Sequence, residues 1–400
     1  MLALRRRRHE EEAQELYALK RVNKMDVDGE EISKRELGIM LNEKEVWAGL
    51  DHPFICELHS FHEADRFLYF CMGLAEAGDV HDLLVSSSKS GGLPLFAARF
   101  YAAEIASGLD YLHAQHVVYR DLKPENIVVN AAGHLMITDF GLSTRLKAAD
   151  KGRTRPLWST EAVGTPSYFA PEIVLNQWYG KEVDWWAFGV IVYEMVCGRS
   201  PFKGETLADS MKSIVSTDVS KLSGPLMPGR LNGDKGRPPA SKQELDHVRD
   251  MVSRLLMKHP DQRLGSGTSG GEEVMKHNFF IKGKIAEGRR GSLGTQTPAA
   301  ASRSLSPRVS GEQQESPSAA AAAAAPPVNP DLWSWDDLLK KKIRPPDLKR
   351  SSLLQKESVI NLIAAADEKA RKEEEEEGND NELEASVSLE EIEANQLPTV

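Results

Sequence analysis

Residues Asp184-Trp185-Trp186-Ala187-Phe188-Gly189 open a stretch that stays apolar nearly all round a helical wheel as far as Cys197, where Gly198 stands ready to stop it. A helix without a polar face must be enclosed by other elements. It is therefore buried, and its burial sets a lower limit on what must surround it. The 400-residue length provides enough chain for one large or two modest domains plus tails.

The charge pattern narrows the partners. The formal net charge is −10, and the last 50 residues, with 14 acidic and 4 basic side chains, carry all of it. The first 350 residues are balanced, which argues against nucleic acid as a partner, because that would require a sustained basic face. Cys56, Cys71 and Cys197 lie far apart with no Cys-x-x-Cys spacing, which argues against a disulfide framework or zinc site and fits a reducing compartment: the cytoplasm, with the nucleus as an alternative. No apolar run reaches the roughly 18 residues of a membrane span. The opening MLALRRRRHEEE has no secretory apolar region.

The chemistry concentrates in Tyr119-Arg120-Asp121-Leu122-Lys123-Pro124-Glu125-Asn126. A carboxylate, an ammonium and an amide within six residues suit phosphoryl transfer. Asp121 can orient and accept the proton of an attacking hydroxyl, Lys123 can reach the moving phosphate, and Asn126 offers a hard oxygen to Mg²⁺. Pro124 holds the chain off a helical path. A chance loop is a credible reading of Arg-Asp-Leu alone and a poor one of eight residues in register. Asp139-Phe140-Gly141 follows 18 residues after Asp121, with a carboxylate suited to chelating Mg²⁺ and a Phe to fix it.

Around these motifs the periodicity predicts a strand at 1–4, a charged connection, and a second strand through Tyr17-Ala18-Leu19-Lys20. Arg5 to Arg8 could be a localisation patch, but the acids that follow favour a solvated hairpin end. Ser33 and Glu36 form a capping-box pattern for a helix with Leu37, Met40, Trp47 and Leu50 on one face. Two strands are predicted in 54–75 around Glu63–Arg66, a helix over 95–113, and short strands at 127–130 and 134–138. Residues 214–242, rich in Gly and Pro, read as a surface loop. Residues 282–330, with their Ala319–Ala325 run, read as a disordered linker, and the end of the chain reads as a solvated acidic tail.

Taken in order, these motifs resemble a eukaryotic serine/threonine protein kinase of the AGC group. Tyr at 119, the Asp184-Trp-Trp run, Arg263-Leu-Gly-Ser and Phe279-Phe280 carry that narrower likeness. The resemblance implies an α+β, bilobal fold: a kinase domain over 1–281, divided into a small β-rich lobe (1–75) and a larger helical lobe (76–281). The linker 282–330 follows, then a C-terminal extension segment over 331–348 and the tail 349–400. It implies ATP and Mg²⁺ as cofactors. Asp121, Lys123 and Thr165 become catalytic, with Thr165 bridging the other two, and Asn126 and Asp139 become metal ligands. Lys20 binds phosphate and is locked by Glu43. Ala18, Met72, Gly73 and Ala75 enclose the adenine, and Asp79 lies near the ribose. Glu125, Glu194 and Asp79 would read arginine before the target Ser or Thr. Arg120, Phe140, Glu172, Asp184 and Arg263 become structural, Glu172 pairing with Arg263 and Asp184 holding the catalytic-loop backbone.

Three departures stand out. The Gly-x-Gly-x-x-Gly loop and the first strand are missing, and Met1 falls where the residue just after that motif should be, so a truncated gene model or internal start codon is expected ahead of a genuine loop-less kinase, with weak nucleotide binding by the chain as written. Glu161 stands where relatives carry an activating phospho-acceptor, leaving either a standing charge for Arg120 or phosphorylation of Ser159 or Thr160 by an upstream kinase. No Phe-x-x-Phe occurs in the last 54 residues. Two readings follow: an active kinase using protein substrates with basic residues before the target, or a pseudokinase scaffold. Lys20, Asp121 and Asp139 favour the former. Arg289-Arg290-Gly291-Ser292 and Lys349-Arg350-Ser351-Ser352 are basic sites within the chain, with Ser292 an expected site of autophosphorylation.

Overall fold

A computed structural model describes residues 2–5, 15–25, 32–64, 66–88, 91–145, 162–218, 240–280, 334–343 and 345–346. Its small lobe is an antiparallel sheet of β1 (Leu2–Arg5), β2 (Glu15–Asn23), β3 (Leu58–Glu63) and β4 (Phe67–Gly73), ordered β1-β2-β4-β3, with helix α1 (Lys34–Trp47) between β2 and β3 in the chain. Residues directly opposite across a pair share a face of the sheet, and i, i+2 neighbours do too. The register Ala18↔Met72 and Lys20↔Phe70 therefore gathers Ala18, Lys20, Phe70 and Met72 on one face. Trp47, at the end of α1, is buried against Phe70 and donates its indole N–H to the Cys56 carbonyl at 2.6 Å.

The larger lobe begins with α2 (Val80–Ser88) and α3 (Leu95–Ala114). The hairpin of β6 (Ile127–Val129) and β7 (Leu135–Ile137) follows, together with the pair β5 (Val117–Val118) and β8 (Thr144–Arg145). The helices α4 (Pro171–Val174), α5 (Glu182–Cys197), α6 (Leu207–Ser216), α7 (Lys242–Leu255), α8 (Gly271–Met275) and α9 (Trp335–Leu339) complete it. The α+β, two-lobed architecture is thus present.

The all-round apolar helix is α5. Only Glu182, Glu194 and Cys197 in it escape full burial, and Gly198 ends it with φ 65°. Gly189 explains how α7 comes so close: a Cβ there would lie 2.7 Å from the Leu255 Cβ, so any side chain would push the helices apart.

One expectation changes. The predicted loop over 214–242 is shorter at both ends. Helix α6 runs to Ser216 because Ile214, fully buried, anchors its last turn in the core, and Ser241 caps α7 in a reciprocal capping box with Glu244. The Gly/Pro content between them masked both helix ends in the sequence. The segment with Trp335 joins the helical lobe: its ring meets Phe280 at 5.3 Å, and Leu338 and Ile343 enter the core. The linker 282–330, the tail 349–400 and Ser292 lie outside the described residues.

Candidate active site

The loop after β5 hangs from α5. The Asp184 carboxylate accepts the backbone N–H groups of Tyr119 and Arg120, each at 2.9 Å, and meets His113 Nε2 at 2.8 Å. A buried carboxylate persists only with such partners. Arg120 bends at φ 69°, and its guanidinium Nε–H donates to the Leu142 carbonyl at 2.6 Å. Gly164 crosses so near that a Cβ on it would stand 2.5 Å from the Arg120 carbonyl oxygen. The Tyr119 ring is fully buried edge-on to Phe140 at 5.5 Å, and its hydroxyl donates to the Thr138 carbonyl.

Downstream of this bend, four side chains close a hydrogen-bonded cluster. Lys123 Nζ donates to Asp121 Oδ2 at 2.8 Å and to Thr165 Oγ1 at 3.1 Å. Thr165 Oγ1 in turn donates to Asp121 Oδ1 at 2.8 Å. Asn126 Nδ2 donates to the Asp121 carboxylate at 2.9 Å and to its carbonyl at 3.0 Å. Thr165 thus stands between Asp121 and Lys123, 44 residues from the former.

A second cluster lies across the lobes. Lys20 Nζ is 2.9 Å from Glu43 Oε1 and 3.0 Å from Asp139 Oδ1. Burial alone would lower the Lys20 pKa, but the charges of Glu43 and Asp139 outweigh it and hold the group above its ordinary value, fully protonated at neutral pH. Asp139 adopts φ 62°, and the buried Phe140 beside it packs on Trp47 at 5.3 Å. The Thr138 N–H bonds the Asn126 carbonyl at 3.0 Å, which brings Asn126 beside the start of Asp139-Phe140-Gly141.

Ala18 and Met72 face each other across the β2–β4 pair. Gly73 ends β4, where its N–H donates to the Glu57 carbonyl at 3.1 Å and its carbonyl accepts a weak bond from the Cys56 thiol. Asp79 accepts the Asp82 N–H at 2.9 Å and so caps α2. Ala75 lies between β4 and α2. On the far side of the loop, Glu194 accepts the Tyr168 hydroxyl at 3.0 Å. Burial pushes the Glu194 carboxyl up to about 7, Tyr168 opposing and the charge of Glu125 adding to the rise. Glu125 lies 3.7 Å from His81 Nδ1.

Arg263 and Glu172 form a bidentate pair at 2.7 and 3.0 Å, with both side chains fully buried. Arg263 also donates to the Glu182 carbonyl at 2.8 Å, so one guanidinium ties α4, α5 and the turn before α8. Ser159, Thr160 and Glu161 lie outside the described residues. Sequence reasoning gave no part to His113, Tyr168 or His81. Each gains its partner across more than 25 residues, and no local spacing signals that.

Among the described residues no group of three or more His, Cys, Asp or Glu side chains forms a ready metal cage. Asp139 and Asn126 nonetheless fit Mg²⁺, which is commonly held by one or two protein oxygens plus phosphate oxygens and water. The Asp139 side chain is 48% exposed, its carboxylate shared with Lys20. Asn126 turns its NH₂ to Asp121.

Comparison with known proteins agrees with this geometry. The family model for the protein kinase domain matches residues 6–280. Protein kinase 3 of Dictyostelium discoideum is 36% identical over 268 residues, covering 66% of this chain and 26% of that protein. The serine/threonine-protein kinase WAG2 of Arabidopsis thaliana is 32% identical over 289 residues, covering 62% and 56%. The RAC-beta serine/threonine-protein kinase of Rattus norvegicus is 36% identical over 266 residues, covering 66% and 48%. The chain spans well under two thirds of the length of each of these relatives. With the domain match over 275 residues and relatives of this type, the chain belongs to the protein kinase family, among serine/threonine kinases of the AGC kind.

Proposed function

We propose that this protein is an ATP-dependent serine/threonine kinase that moves the γ-phosphoryl of MgATP to Ser or Thr hydroxyls preceded by basic residues. The observation that carries the reading is the closed Asp121–Lys123–Thr165–Asn126 cluster. Asp121, held on both oxygens, is oriented to accept a hydrogen bond from an incoming hydroxyl and then its proton. Lys123 supplies positive charge to the transferring group from within hydrogen-bond reach of Asp121. Lys20, fixed by Glu43, steadies the nucleotide phosphates, and such positioning with preorganised charge is most of what phosphoryl transfer requires. Mg²⁺, when bound, neutralises the phosphate oxygens, with Asp139 and Asn126 as its protein ligands.

Support for basic substrates comes from Glu125 and Glu194, a pair of carboxyl groups close enough for the charge of one to shift the other. A guanidinium between them relieves their repulsion and can form charge-assisted bonds to both. We further infer a cytoplasmic setting, since Cys56, Cys71 and Cys197 lie far apart in the sequence with no spacing that suggests a disulfide framework, and activation by an upstream kinase at Ser159 or Thr160.

The test is transfer of labelled phosphate from ATP to a serine peptide with arginines two and three residues before the target. Wild-type transfer that Asp121→Ala abolishes supports the enzyme. Transfer that is absent, or that Asp121→Ala leaves intact, would favour the scaffold reading.

A further inference from the structure

Helix α2 presents one imidazole to an acidic region. His81 Nδ1 lies 3.7 Å from Glu125 Oε1, and both side chains are about half exposed, at 51% and 46%. The elements around α2 are the turn Pro124–Asn126, β6 and α5. Their titratable groups are Glu125, with Lys123 just before it, and Glu182, Asp184, Tyr193, Glu194 and Cys197 on α5; β6 has none. On α2 itself Asp82 adjoins His81, and Asp79 caps the helix. Lys123 is occupied by Asp121 and Thr165. His81 is therefore the side chain here that can place a positive charge against Glu125, and histidine is the residue type whose charge changes between pH 5 and 8.

We propose that His81 is a specificity-determining residue that competes with a substrate guanidinium for Glu125. When protonated, it holds Glu125 in an ion pair that an incoming arginine has to displace. When neutral, it releases Glu125 to the arginine. This rests on the basic-substrate reading above. Arginine wins against imidazolium by bonding in a bidentate fashion, but an exposed ion pair still reduces its advantage, by about two- to fivefold.

The experiment uses the full chain and two serine peptides, one with arginines two and three residues before the target and one with alanines there. The ratio of their kcat/KM values is measured at pH 6 and pH 8 for wild type, His81→Gln and His81→Arg. Glu194 titrates in the same window and lowers the ratio at pH 6 in every protein, so the difference between proteins isolates His81. The expected result is a His81→Gln ratio about two- to fivefold above wild type at pH 6 and equal to it at pH 8. His81→Arg should give a depressed ratio at both. A wild-type ratio near one at pH 8 overturns the basic-substrate reading and this inference with it. A ratio well above one at pH 8, with His81→Gln matching wild type at pH 6, overturns the role of His81 alone.

Discussion

Asp184 holds the backbone N–H of Arg120 at 2.9 Å across 64 residues of chain, and Arg120 pays for its left-handed turn with that bond. The central helix thus fixes the shape of the loop that carries Asp121. Asp184→Ala removes the acceptor for two buried N–H groups and the partner of His113. A loss of about 3–5 kcal/mol is expected in denaturant unfolding, as for other broken buried pairs, together with loss of phosphotransfer. Asp184→Asn, which keeps one acceptor oxygen, should fall between.

Arg263 and Glu172 differ in what their removal leaves behind. Arg263→Ala strands a fully buried carboxylate and should cost about 3–5 kcal/mol. Glu172→Gln with Arg263→Met leaves no stranded carboxylate and should recover part of that loss. A double-mutant cycle by chemical denaturation measures the coupling; additive losses would deny the pair its structural part.

Thr165 contacts both Asp121 and Lys123 through one hydroxyl. Thr165→Val keeps the shape and deletes the bonds, letting Asp121 drift. A fall in kcat of up to about a hundredfold with little change in stability is expected. Thr165→Ser should restore most of the activity, which steady-state kinetics on one peptide would show.

Glu194 should make stability depend on pH. Its carboxyl binds a proton in the folded state up to about pH 7 but only to the ordinary value near 4.5 when unfolded. Between these the folded state holds more protons, so stability is full below about 4.5 and falls as pH rises toward 7, by no more than about 1.4 kcal/mol per pH unit. Glu194→Gln should flatten that part of the profile in urea titrations at pH 5, 6 and 7.

The short helix α9 buries Leu338 completely against the helical lobe. Leu338→Ala should cost about 2–5 kcal/mol, a penalty visible as a lower unfolding midpoint. A surface-like change below about 0.5 kcal/mol would mean that the segment is not docked in solution.

Local patterns made much of this protein legible. The all-round apolar run specified a buried α5 because no exposed helix tolerates such a surface, apolar runs around the polar turn Glu63–Arg66 placed β3 and β4, and a helical period placed α3. The spacing of Asp121, Lys123 and Asn126 put their chemistry within one loop. Packing decided what spacing could not. The last turn of α6 exists because Ile214 finds the core, the Gly73 N–H is spent on Glu57, and Glu194 titrates near neutrality because it is buried beside Glu125. His81 meeting Glu125 belongs to the same class. Hydrophobic period and turn chemistry act over a few residues, and the sequence carries them openly. Hydrogen-bond partners, burial and like-charge proximity depend on distances between segments dozens of residues apart, which come into being only when the chain has folded.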